Sequence, residues 1–212
     1  MKNLKNTFRV TSILITGLFA LASCTNNEEL KVPPPKPPVG QNPDDKGCKT
    51  NSSEFNSIYS GLVAVPGNQD VVTYDSEIHS YDFMVKQRKV VCSIGYASIP
   101  AMTAIPYKIE IFDYSSNSVI YAASVLFANF TSYHTPTSPV VLNPGVKYSI
   151  RRIQTLWAPN IGNTIGRLVK NPAGNISFPQ SSGDLTIIAS KFYQNAGTQQ
   201  NWAIPYINIV FQ

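Results

Sequence analysis

From about residue 62 onward, apolar positions alternate with polar ones at a period of two, the spacing of a strand that buries one face. In Tyr107-Lys108-Ile109-Glu110-Ile111-Phe112-Asp113, the side chains of Tyr107, Ile109 and Ile111 share one face, while Lys108 and Glu110 share the other, which the pattern leaves wet. Tyr114-Ser115-Ser116-Asn117 is a turn cluster and Val119–Val125 resumes an extended pattern, so the pair predicts a hairpin. After the Asn143-Pro144-Gly145 turn, Val146, Tyr148 and Ile150 alternate with Lys147, Ser149 and Arg151. Further strands are predicted at Leu62–Val65, Val71–Tyr74, Tyr81–Val85, Val90–Tyr96, Leu185–Ala189 and Ile204–Phe211, the last with Ile207, Ile209 and Phe211 facing inward. Helix is confined to short turns around Ser52–Ser60. Roughly ten short strands, about 8–12 residues apart with turns between, predict an all-β domain, a jelly-roll-like β-sandwich, with an up-and-down barrel as the alternative.

Composition agrees with that class. Sixteen Pro, twelve Gly and eleven Tyr favour strands and turns over long helices. With 43% hydrophobic residues the chain can bury a core, and its 14% charged residues fall well under the about 25% of an average soluble protein. Its 212 residues set an expectation of one globular domain.

The amino-terminal segment departs from the strand pattern. Lys2, Lys5 and Arg9 precede an apolar run through Ile13, Leu14, Ile15, Leu18, Phe19 and Leu21, too short to match the about 20 residues of a comfortable membrane span. The run ends Leu21-Ala22-Ser23-Cys24, which resembles the lipobox of bacterial lipoproteins. That resemblance implies cleavage before Cys24 and a lipid on its thiol, so residues 1–23 are expected to be a lipoprotein signal peptide. Removing Lys2, Lys5 and Arg9 with it takes the net charge from +5 to +2. No Lys/Arg cluster remains to neutralise a phosphate backbone, which argues against a nucleic-acid partner. The expected partner is a membrane, reached through acyl chains at Cys24 that contribute about 0.8 kcal/mol per buried CH₂.

Residues 24–47 are then expected to form a lipidated tether. Val32-Pro33-Pro34-Pro35-Lys36-Pro37-Pro38 favours polyproline II, a semi-rigid spacer. The acidic Glu28-Glu29 pair close behind Cys24 is similar to surface-export signals of some bacterial lipoproteins, and Thr25 is not the aspartate of an inner-membrane retention signal. The resemblance implies an outer-membrane, surface-facing location.

Residues 48–212 form the expected sandwich domain. Its middle and end read Lys89-Val90-Val91-Cys92-Ser93-Ile94-Gly95-Tyr96, Pro139-Val140-Val141-Leu142-Asn143-Pro144-Gly145-Val146-Lys147-Tyr148, Phe178-Pro179-Gln180-Ser181-Ser182-Gly183 and Pro205-Tyr206-Ile207-Asn208-Ile209-Val210-Phe211. In that order they resemble a secreted bacterial β-sandwich module of unassigned function, over roughly residues 78–212. These are turns and core strands, which speak for fold rather than chemistry. The family's modules are accessory domains of extracellular proteins, some carbohydrate-active, and the resemblance carries over no catalytic residue and no cofactor.

Motifs for catalysis are missing from the sequence. His79 and His134 stand outside any nucleophile motif, and there is no Gly-x-Ser-x-Gly, Walker-type loop, His-Glu-x-x-His or Cys-x-x-Cys. Asp75, Glu77 and His79 alternate along a strand with Asp82 nearby, but successive ligands about 6.5–7 Å apart do not meet one metal without a bend. A hydrolase assembled from Asp75, Glu77, Asp82 and Asp184 has no defined carboxylate pair behind it. With Cys24 assigned to lipid, Cys48 and Cys92 leave two readings open, a disulfide or two separate thiols with Cys92 buried.

The expectation is therefore a noncatalytic binding module for a glycan or another surface ligand. Trp157 and Trp202, with polar neighbours at predicted loop positions, and Tyr133, His134 and Arg151 are its candidate contacts, each also readable as a packing or ion-pairing residue. The alternative is an adhesive surface protein that meets other proteins through sheet positions such as Tyr206 and Val210.

Overall fold

The computed structural model describes residues 48–194 and 197–212. The predicted leader, Cys24 and the Pro-rich tether lie outside the described residues.

The first long element is a helix, α1 (Glu54–Val63). Ser53 caps it, its Oγ accepting the Asn56 backbone N–H at 3.0 Å, and Glu54 places a negative charge in the first turn. Phe55, Ile58, Tyr59 and Leu62 fall at helical spacing and are all buried. This corrects the strand predicted at Leu62–Val65: Leu62 is the last buried residue of the helix, and Val65 beyond it is exposed. It also lengthens the short turns expected around Ser52–Ser60 into a ten-residue helix.

Fourteen strands follow among the described residues, more than the roughly ten expected: β1 (Gln69–Thr73), β2 (Ile78–Val85), β3 (Lys89–Tyr96), β4 (Tyr107–Asp113), β5 (Ser118–Val125), β6 (Ser132–His134), β7 (Val140–Leu142), β8 (Tyr148–Gln154), β9 (Gly166–Lys170), β10 (Gln180–Ser182), β11 (Leu185–Gln194), β12 (Gly197–Gln200), β13 (Ala203–Pro205) and β14 (Asn208–Phe211). All pair antiparallel. One sheet runs β1-β9-β13, a second β10-β11-β2-β8-β4-β5 with β12 on β11, and a third β14-β3-β6 with β7 on β3. The domain is all-β, with several antiparallel sheets.

The second and third sheets share one core. Tyr81, Phe83, Ile109, Ile111, Tyr148 and Ile150 from the larger sheet pack in one cluster with Val91, Ile94 and Ile209 from the smaller, and α1 adds Phe55 to it. Each fully buried side chain of this size contributes about 1.5–3 kcal/mol. Tyr81 stacks on Phe55 at 5.4 Å and donates its hydroxyl to the Ile207 carbonyl at 2.8 Å, so its polar end is satisfied inside the core. A smaller cluster of Leu168, Phe192 and Ala203, covered by Tyr74 and Trp202, lies beside β9, β11 and β13.

The predicted last strand is two strands in different sheets. Pro205 ends β13, and the turn closed by the Ile207 N–H on the Pro205 carbonyl separates it from β14. Both faces of this segment are covered: Tyr206 and Val210, read from sequence as exposed, are 7% and 1% exposed, while Phe211, expected inward, is only half-buried. The outer face of β4 also differs from expectation, because Glu110 is buried beneath Lys108 Nζ at 2.6 Å and Arg151 Nη1 at 3.7 Å. Of the two readings left open for the cysteines the structure shows the disulfide: Cys48 is bonded to Cys92 of β3, with Cα atoms 5.8 Å apart.

Candidate functional site

A cleft of about 500 Å³ lies between α1 and the β1-β9 pair. Antiparallel pairing sets Val72 opposite Arg167 and Asp70 opposite Val169, so Asp70 and Arg167 are diagonal neighbours on one face. Arg167 uses that diagonal for a two-pronged pair, Nε to Oδ1 at 2.9 Å and Nη2 to Oδ2 at 2.6 Å. Helix α1 supplies Tyr59, which donates to Asp70 Oδ1 at 2.9 Å, and Asn56, whose Oδ1 accepts the Tyr206 hydroxyl at 3.1 Å. The Arg167 guanidinium lies over the Tyr206 ring at 4.6 Å and the Tyr59 ring at 5.3 Å, and those rings meet edge to face at 4.9 Å.

Burial alone pushes the Asp70 carboxyl up, but the hydrogen bonds from Arg167 and Tyr59 outweigh it and hold the group below the ordinary range. Burial first, and the Asp70 charge second, push the Tyr59 phenol well above its usual value. At neutral pH the cleft therefore holds a carboxylate, a guanidinium and an intact phenol. Asn51, Ser52 and Ser57 add hydroxyl and amide groups at its wall. No histidine or cysteine lines the cleft. It offers hydrogen bonds of both senses on a paired, nearly neutral floor.

The residues singled out from sequence do not converge on one site. Trp157, half-buried after β8, donates its indole N–H to Asp75 Oδ1 at 3.0 Å; Asp75 also takes the Gly162 N–H and the Thr164 hydroxyl. Trp202 covers the smaller cluster, packed on Tyr74 at 4.7 Å with Lys170 Nζ 5.1 Å from its ring centroid. Tyr133 lies over Gly95, its hydroxyl accepting from Asn208 Nδ2 at 2.9 Å. His134, on β6, is half-buried with its ring 6.5 Å from Tyr121, and burial holds its pKa below the ordinary value. Arg151 pairs with Glu110 and stacks on Phe112 at 4.3 Å.

Three of the four carboxylates considered for hydrolysis are engaged separately. Asp75 is held by the Trp157 loop, Asp82 by Lys147 and Lys191, and Asp184 by Lys89 at 2.7 Å. Among the described residues no group of three or more His, Cys, Asp or Glu is placed to hold a metal ion. Tyr206 was singled out from sequence, as a sheet position, but Asn56, Tyr59 and Asp70 were missed. The helical spacing of Phe55, Ile58, Tyr59 and Leu62 behind the Ser53 cap was the available signal for two of these.

No protein-family model matches the chain, and no curated protein matches it.

Proposed function

We propose that this chain is a noncatalytic binding module whose ligand is a hydroxyl-rich molecule of the glycan class, seated in the cleft over Asp70 and Arg167. The observation that carries the reading is the Asp70–Arg167 pair lying on the rings of Tyr59 and Tyr206 beside Asn56. A carboxylate and a guanidinium side by side accept from and donate to neighbouring hydroxyls, and the surrounding amide and serine groups extend the same chemistry. The setting is extracytoplasmic: lipid at Cys24 holds the domain at an outer membrane, residues 24–47 space it from the bilayer, and residues 48–212 are a β-sandwich. The Cys48–Cys92 bond supports export, because structural disulfides belong to oxidising compartments. The shared core of the two larger sheets supports the sandwich.

A glycan array probed with the purified chain, followed by titration of any hit against Arg167→Met and Asp70→Asn, tests the site. Each variant is expected to weaken binding about 10-fold or more, since a lost charged hydrogen bond is worth about 1.5–3 kcal/mol. Uniformly negative arrays, or hits unchanged by both substitutions, would remove the proposal.

A further inference from the structure

From Tyr114 to Val146 the chain has no Asp, Glu, Lys or Arg, although residues 48–212 carry eleven Lys/Arg and eight Asp/Glu elsewhere. That stretch holds five of the ten exposed large apolar residues among the described ones: Tyr114, Val119, Ile120, Leu126 and Phe130. Leu126 and Phe130 are 60% and 64% exposed.

The stretch contains β5, which pairs with β4 on one side and with no other strand among the described residues. The opposite edge of the same sheet, β10, is three residues long, whereas β5 has eight. Sheets normally protect edges by shortness, charge, proline or bulges. Here β5 has no charge and no proline, and its bulge, at Ile120, leaves Tyr121–Val125 in regular register. The outward N–H and C=O groups of that segment pair with no strand among the described residues.

We infer that a second copy of this chain occupies the β5 edge, pairing antiparallel to join two sheets into one. The charge distribution selects the occupant. Two identical chains, each with positive charge in excess, repel wherever their lysines and arginines face each other, and meet without that cost along the uncharged stretch. The register is self-complementary. A two-fold axis at Ala123 sets Tyr121 opposite the partner's Val125 and Ile120 opposite the partner's Leu126, with the small Ala122 and Ser124 between. The exposed Ile120 of each copy thus falls on the exposed Leu126 of the other, while Tyr121 and Val125, which face the core, extend it across the joined sheets, as an isologous interface requires. Two such edges, with Leu126 and Phe130 on each side, bury on the order of 1,000 Å², enough for a specific but weak dimer.

Sedimentation equilibrium of the full chain in density-matched non-ionic detergent, which keeps the apolar leader from driving association, tests this. The expected result is a monomer–dimer equilibrium with Kd on the order of 10 µM. Ile120→Lys and Leu126→Glu each place an unpaired charge in the contact and are expected to weaken dimerisation at least 10-fold, while the double variant pairs the two charges across the axis and restores it. Both positions are exposed, so the variants fold. A monomer at every concentration, or a dimer indifferent to both single substitutions, overturns the inference.

Discussion

The indole N–H of Trp157 ends on the Asp75 carboxylate at 3.0 Å, joining the loop after β8 to the connection between β1 and β2. An aromatic side chain that reads as a sugar platform in the sequence also braces two loops here. Asp75 collects a second donor from the Gly162 backbone and a third from Thr164. Asp75→Ala is therefore expected to cost about 2–3 kcal/mol in urea denaturation, and Trp157→Phe about 1 kcal/mol, since the ring remains and one hydrogen bond goes. Ligand affinity at the Asp70–Arg167 cleft should be the same in both variants; a Trp157→Phe protein that loses binding would return that residue to the site.

Asp82 gives a pH signature. Its side chain is fully buried, with Lys147 and Lys191 Nζ each 3.0 Å from Oδ2 and the Tyr114 hydroxyl 3.1 Å from Oδ1. Burial pushes the carboxyl up, the two ammonium groups pull it down, and the ammonium groups win, so its folded pKa lies below the ordinary value. A depressed carboxyl pKa stabilises the fold fully above the unfolded value of about 3.9, and that stability is lost as pH falls through the lower folded value. Both lysines are about a third or more exposed, which reduces the gain. Wild type is expected to exceed Asp82→Asn by about 2 kcal/mol at neutral pH, with the gap closing as pH falls below the unfolded value of about 3.9. A gap that keeps its size down to pH ~2 would show that the charge of Asp82 contributes nothing.

Much of the sheet was legible because alternation is a local property. The β4-β5 hairpin turns at Tyr114–Asn117 as the sequence indicates, and Tyr107, Ile109 and Ile111 bury on one face. The helix was misread because its aromatic and β-branched residues favour strands, while the Ser53 cap and the spacing of its apolar residues favour helix and prevail once Phe55 packs on Tyr81. Glu110 misled for another reason: a charged residue on an outer face reads as wet until a lysine and an arginine from its own sheet close over it. The cleft was hidden because Asp70 and Arg167 are 97 residues apart, and only the β1-β9 register brings them together.

The Cys48–Cys92 bond closes a loop across a sequence separation of 44. In the chain-entropy account, opening a loop of that length releases about 4 kcal/mol of constraint on the unfolded chain. Reduction, or Cys48→Ser with Cys92→Ser, is expected to lower the unfolding free energy by about that amount, seen as a shift in the urea midpoint. Two free thiols in the protein denatured without reductant would show that the bond does not form.

Gly95 and Tyr133 face each other across the β3-β6 pair, and the space between them is already full. A Cβ on Gly95 falls 2.5 Å from Cε1 and 2.8 Å from Cδ1 of the Tyr133 ring. The ring has little freedom to retreat, because its hydroxyl accepts from Asn208 Nδ2 at 2.9 Å and donates to the Thr50 carbonyl at 3.3 Å. Asn208 in turn accepts from the hydroxyl of Ser53, the residue that caps α1, at 2.7 Å. A methyl group at residue 95 thus pushes on a chain of contacts that ends at the helix supplying Asn56 and Tyr59 to the cleft. Gly95→Ala is expected to cost about 1–3 kcal/mol, the range for overpacking a buried site. If the ring contact is the cause, Tyr133→Ala in the same chain relieves it, and the double variant loses less than the two single losses combined. Strictly additive losses would place the penalty in the backbone of β3 and detach Tyr133 from the support of the cleft.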